Sequence, residues 1–87
     1  MYKRFYSSTS KEDLSKLEEK ERTQIILKIK QLIFPFPTSL NIKKMKGLDN
    51  FYRIKTGKLR IIFQINYEIK EIIIRKIGYR KDVDRFF

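Results

Sequence analysis

Eighty-seven residues form one expected domain, 1–87, long enough to bury a single core without staples. The chain has no cysteine and no histidine, which excludes disulfides, thiolate or imidazole metal ligands and any Ser-His or Cys-His catalytic pair. Twenty-one Lys and Arg against ten Asp and Glu leave +11, with a pI near 10.0, a field that calls for a polyanionic partner, nucleic acid ahead of anionic membrane. A solvated lysine-rich surface is the plainer alternative. The excess is uneven: residues 1–40 carry eight cations and five acids, residues 41–87 thirteen and five. No apolar run approaches the roughly 18 residues of a membrane span, and Met1 to Ser8 lacks the apolar segment of a signal peptide. A soluble, cytoplasmic protein is expected.

Aromatic and basic residues alternate from Tyr2 to Tyr6, which predicts a first short strand. Ser10-Lys11-Glu12-Asp13 resembles a capping box with Asp for Glu, opening a helix that carries Leu14 and Leu17. A second helix is expected over about Glu19 to Phe34, with Ile25, Ile26, Ile29, Leu32 and Ile33 on one buried stripe and Pro35 stopping it. Its acids lie near the start and Lys28 and Lys30 near the end, as the helix dipole favours. Thr38 to Leu48 is expected to be a loop, with Lys43, Lys44 and Lys46 leading into the sheet.

Three antiparallel strands should then run from Phe51 to Arg80. With Gly57-Lys58 as a two-residue turn, Thr56 faces Leu59, Lys55 faces Arg60, Ile54 faces Ile61, Arg53 faces Ile62 and Tyr52 faces Phe63. Alternation places Tyr52, Ile54, Ile61, Phe63 and Ile65 on a core face and Arg53, Lys55 and Arg60 on the other. Like charges directly opposite each other cost stability, so the Lys55–Arg60 pair points to an anion. The last strand should end near Gly78, followed by a short C-terminal tail of one helical turn. The order β-α-α-β-β-β is α+β: two helices packed on one face of a mainly antiparallel sheet, the other face open.

Without histidine, the chemistry left to this chain is that of lysine, arginine and carboxylates. The acids of the basic half are Asp49, Glu68, Glu71, Asp82 and Asp84, of which only the last two are close in sequence; no metal site and no cofactor are expected. RNA carries its own nucleophile, the 2′-hydroxyl. Clustered cations can stabilise a crowded phosphorane, and like-charged neighbours disfavour the charged form of a lysine, which suits Lys55 to a general base. On spacing alone, a basic face that binds phosphate without cleaving it is the plainer reading and ranks ahead of cleavage.

Lys46-Gly47, Phe51-Tyr52-Arg53-Ile54-Lys55, Gly57-Lys58-Leu59-Arg60-Ile61-Ile62-Phe63 and Ile77-Gly78-Tyr79-Arg80-Lys81-Asp82-Val83, in this order, resemble the RelE/ParE toxin superfamily over essentially the whole chain. The resemblance implies a toxin of a toxin–antitoxin pair. In the RelE branch it implies a metal-free endoribonuclease that enters the ribosomal A site and cleaves mRNA by 2′-hydroxyl attack. By that analogy Lys55 is the base, Arg80 the proton donor or leaving-group stabiliser, and Arg53 and Arg60 the phosphate clamp. Lys43, Lys44, Lys46, Lys58, Lys81 and Arg85 are the expected RNA-binding cations, and Phe86 an expected stacking residue. The implied partners are a RelB-like antitoxin, acidic and partly disordered, the ribosome with its mRNA, and operator DNA for the toxin–antitoxin complex only. The chain departs from the pattern at Asp84, where the family places a tyrosine; Tyr79 is a possible substitute, although strand parity points it away from Arg80. A gyrase-inhibiting toxin of the ParE branch and a non-catalytic basic nucleic-acid-binding module are the competing expectations.

Overall fold

A computed structural model describes residues 2–33 and 35–85. Eight elements follow one another: β1 (Lys3–Tyr6), α1 (Ser8–Lys16), α2 (Glu19–Lys30), β2 (Ile42–Lys44), β3 (Phe51–Thr56), β4 (Leu59–Asn66), β5 (Glu71–Tyr79) and α3 (Arg80–Asp84). The strands form one sheet in the order β1-β5-β4-β3-β2. All neighbours are antiparallel except β1, which runs parallel to β5. No helix among the described residues is long and apolar enough to cross a membrane.

The β3–β4 hairpin has the expected register at every position, from Tyr52↔Phe63 to Thr56↔Leu59. Gly57 makes this possible: its φ of 60° is the conformation a tight hairpin demands of its first turn residue and a side chain resists. Tyr52, Ile54, Ile61, Phe63 and Ile65 then point into the helix-side core together with Ile25, Ile29, Leu32, Leu40, Ile72, Ile74 and Ile77. Tyr52 stacks on Phe63, ring centroids 5.5 Å apart, and Phe36 meets Phe63 edge-on at 5.8 Å.

Four details differ from the sequence expectation. The cap of α1 is Ser7, whose hydroxyl accepts from the Ser10 backbone N–H at 3.1 Å, while Ser10 is wholly buried and donates its own hydroxyl back to the Ser7 carbonyl. Asp13 closes no capping box. Its two oxygens accept from the Lys76 ammonium at 2.9 Å and the Ile77 backbone N–H at 3.0 Å, because β1 stops pairing at Tyr6↔Ile74 and the β5 edge beyond needs an acceptor. Helix α2 ends at Lys30 rather than near Phe34, a residue outside those described. The Arg4 guanidinium takes the Ile29 and Lys30 carbonyls at 3.1 and 2.7 Å, satisfying the end of the helix before the prolines are reached. The expected loop of residues 38–48 contains β2, whose Lys43 pairs with Arg53 and Lys44 with Tyr52.

The opposite sheet face is partly covered as well. α3 packs against β4 and β5, with Val83 Cγ2 3.9 Å from the position a Cβ on Gly78 would take. Ile62 and Val83 are buried, at 0% and 3% exposure, yet neither joins the helix-side core. A small second layer therefore folds the C-terminal helix back over β4 and β5.

Candidate functional site

The cationic face of the hairpin is built by parity. Arg53, Lys55 and Arg60 alternate with the core residues Ile54, Leu59 and Ile61, so they share the side away from α1 and α2. Pairing β2 to β3 adds Lys43 beside Arg53, and α3 begins with Arg80 just after β5 ends, two residues past Gly78, the partner of Arg60. Together with Asn41, these five cations line an open cleft of about 280 Å³ that has no carboxylate in its wall. Lys55 lies opposite Arg60, and Lys43 opposite Arg53, so repulsive pairs occupy two successive rows of the sheet.

Hydrogen bonds hold part of this arrangement in place. Arg60 Nη1 donates to the Gly57 carbonyl at 3.2 Å and to its neighbour Leu59 at 2.9 Å, which anchors the guanidinium at the hairpin turn and leaves other N–H groups to a ligand. The Lys55 backbone N–H reaches the Asn41 carbonyl at 3.4 Å, tying the cleft's rim to its floor. Arg80 is exposed; its Nε is 3.7 Å from Asp84 Oδ2, both side chains being more than half accessible, a surface pair of little worth that an anion would displace. Asp84 thus occupies the surface beside Arg80 rather than the cleft itself. The arrangement can bind a phosphate from several sides and place positive charge on whichever oxygen becomes negative during reaction. Among the described residues, no three His, Cys, Asp or Glu side chains gather in a way that would hold a metal ion.

The other cations are placed elsewhere. Lys44, opposite Tyr52, lies on the helix-side face, and with Lys46 it borders a separate recess formed by residues 44–49. Lys58 is at the exposed hairpin tip, and Lys81 is exposed on α3. Arg85 lines a mixed-charge recess of about 360 Å³ with Asp13, Lys16, Lys76 and Asp82, among others. Phe86 lies outside the described residues. Tyr79 stays on the helix side, as parity expects: its hydroxyl bonds both Glu21 oxygens at 2.8 and 2.9 Å. That hydrogen bond, ahead of burial, pushes its phenol above the ordinary tyrosine range. Asn41 and the strand pairing of Lys43 had no periodic signal, since a three-residue strand is too short to show alternation.

No model of a known protein family matches the chain. Individual proteins do match. It is 37% identical over 60 residues to Putative toxin RelE1 of Methanocaldococcus jannaschii, covering 62% of this chain and 67% of that one. It is 42% identical over 48 residues to Toxin RelE3 of the same organism, covering 55% of this chain and 52% of the relative, about half its length. The fold superposes with a TM-score of 0.79 on a chain of the RelB–RelE antitoxin–toxin complex from Methanococcus jannaschii, at 30% identity over 95% of this chain and 98% of the other. A basic α+β fold with an acid-free cationic cleft is the class these features define. The chain belongs to the RelE toxin family.

Proposed function

We propose that the protein is a ribosome-dependent endoribonuclease toxin, cleaving mRNA in the A site without a metal ion and held in check by a cognate RelB-like antitoxin. The observation that carries this reading is the cleft in which Lys55, Arg60, Arg53 and Arg80 converge with no acid among them. Strand cleavage by an internal nucleophile sets three tasks. Lys55, as the free amine, accepts the 2′-hydroxyl proton as the 2′-oxygen bonds to phosphorus. Arg53 and Arg60 bind the non-bridging oxygens and stabilise the added charge of the phosphorane. Arg80, entering from α3, stabilises the 5′-oxygen as its bond to phosphorus breaks and the oxygen takes up a proton from water. The products are a 2′,3′-cyclic phosphate and a 5′-hydroxyl. Lys43 lies one row away and suits a neighbouring phosphate.

Such a weakly selective phosphate site needs its substrate held in register, which is what the ribosome would supply. An acidic, partly disordered antitoxin suits a surface of +11 and orders on binding; the similar archaeal RelE is seen in complex with RelB. Operator DNA is then a partner of the complex rather than of the toxin alone, and the site of action is the cytoplasm.

Mapping mRNA ends in translating extracts, with and without ribosomes, tests the reading. Cleavage within codons that requires ribosomes is expected, and its loss in Lys55→Ala and Arg80→Ala. Intact mRNA with accumulating DNA breaks in expressing cells would instead mark a gyrase-directed toxin. Salt-sensitive DNA binding by the isolated chain without growth arrest would mark a binding module.

A further inference from the structure

One pleat row beyond the cleft, the same sheet face carries polar chemistry of another kind. Gln64 and Asn66 alternate with the core residues Phe63 and Ile65, so they point to the side that bears Arg53 and Arg60. Both have their amide oxygens occupied. The β4–β5 ladder jumps from Ile62↔Lys76 to Phe63↔Ile74, leaving Arg75 as a bulged residue without a partner across the strand, the device that re-aims a side chain. Arg75 reaches Gln64 Oε1 through Nε at 3.1 Å and Nη2 at 2.8 Å. A guanidinium only donates, so the Gln64 oxygen must face Arg75 and its NH₂ group must face away. Asn66 Oδ1 accepts the Glu68 and Ile69 backbone N–H groups at 3.1 and 3.3 Å, which directs its NH₂ outward by the same logic.

These two side chains border a recess of about 370 Å³ with Asn50, Ile65, Tyr67 and Glu68. It brings together two amide groups whose oxygens are already engaged, one carboxylate and a tyrosine. No ion pair among the described residues involves Glu68. A carboxylate repels phosphate, so the recess suits a neutral ligand that both accepts and donates. Guanine does so on its Watson–Crick edge, with O6 as acceptor beside N1–H and N2–H as donors. Adenine brings one donor group and no carbonyl oxygen for the amides. Residues two apart on one face of a strand are about 6.6–6.8 Å from each other, so Gln64 lies one step past the Arg53↔Ile62 row. A nucleotide flanking a phosphate held in the cleft can span that step.

We infer that the Gln64–Asn66–Glu68 recess is a guanine-reading subsite for an RNA strand whose phosphate lies in the cationic cleft. The inference rests on the ribonuclease reading of that cleft. Gln64 and Asn66 donate to O6, Glu68 accepts from N1–H and N2–H, and Arg75 fixes the orientation of Gln64 without touching the base.

The test is fluorescence anisotropy with 2′-O-methylated RNA hexamers of uridine carrying a single guanine, adenine or inosine at each position in turn. The expected result is roughly tenfold tighter binding of guanine than adenine at one position, the discrimination of a good two-point base contact, with inosine in between because it lacks N2–H. Glu68→Gln and Gln64→Glu should both bring that ratio towards one. Gln64→Glu keeps an oxygen on Arg75 but replaces the donor. Comparing bases within each protein cancels the opposite charge changes of the two variants. A parent ratio near one, or a ratio unchanged in both variants, overturns the subsite. Methylated RNA cannot be cut, so the result does not depend on catalysis. Guanine preference in hexamers without mRNA cleavage on ribosomes would retain the subsite and sink the nuclease reading, and cleavage with no base discrimination would do the reverse.

Discussion

Lys55 stands directly opposite Arg60 across the β3–β4 ladder, and neither side chain has a carboxylate partner among the described residues. Opposed like charges destabilise a sheet by about 0.2–1 kcal/mol. A fold that keeps such a pair, with a second one at Lys43 and Arg53 in the next row, carries an electrostatic cost that a bound anion would offset. Lys55→Ala should therefore unfold at the same or a higher urea concentration than the parent while losing toxicity. Urea melts and growth of expressing cells measure the two together; a destabilised variant that is still toxic would remove Lys55 from the mechanism.

The Asp13–Lys76 contact joins residues 63 apart in sequence at 2.9 Å, with side-chain exposures of only 10% and 18%. Since Asp13 also takes the Ile77 N–H, Asp13→Ala should remove both bonds at once and cost about 2–3 kcal/mol. The loss should appear as a lower urea midpoint with an unchanged slope. Lys76→Met keeps the stem and one of the two contacts, and should cost less.

Asp84 approaches Arg80 at 3.7 Å on an exposed helix face, so Asp84→Asn should alter stability by less than about 0.5 kcal/mol. Removing the carboxylate frees Arg80 for phosphate and is expected to tighten binding of the methylated hexamers. Asp84→Tyr, which adds a phenol beside Arg80, should raise the mRNA cleavage rate further than Asp84→Asn does. Equal rates for the two would show that a hydroxyl there contributes nothing.

Partial desolvation pushes the Tyr67 phenol up to about 12, helped by the 2.7 Å hydrogen bond with Tyr52. The folded state holds this proton more tightly than the unfolded chain, whose tyrosines titrate near 10. Its contribution to stability is therefore complete below about pH 10 and lost as pH rises towards about 12. Tyr52→Phe should lower the Tyr67 midpoint in an ultraviolet titration and narrow that window. An unmoved midpoint would show that the hydroxyl pair carries none of the shift.

Sequence alone determined the hairpin and its two faces. Register follows from one glycine able to hold φ at 60° and from a period of two, both properties of neighbouring residues. The concentration of cations in the second half, the absence of histidine and cysteine, and the α+β order were equally plain, because none depends on how distant segments meet. Tertiary structure decided the rest. β2 is three residues long, too short for periodicity, and only its pairing with β3 brings Lys43 to Arg53. Arg80 reaches the cleft because Val83 is buried against the sheet near Gly78, a packing choice that a five-residue helix cannot announce locally. Tyr79 goes to Glu21, 58 residues away, and Asp13 to an unpaired strand edge instead of its own helix start. The orientation of Gln64 depends on a bulge in the adjacent strand. Local alternation fixes which way a side chain points, but which side chains share a cleft is set by long-range contacts that form only when the chain buries its core.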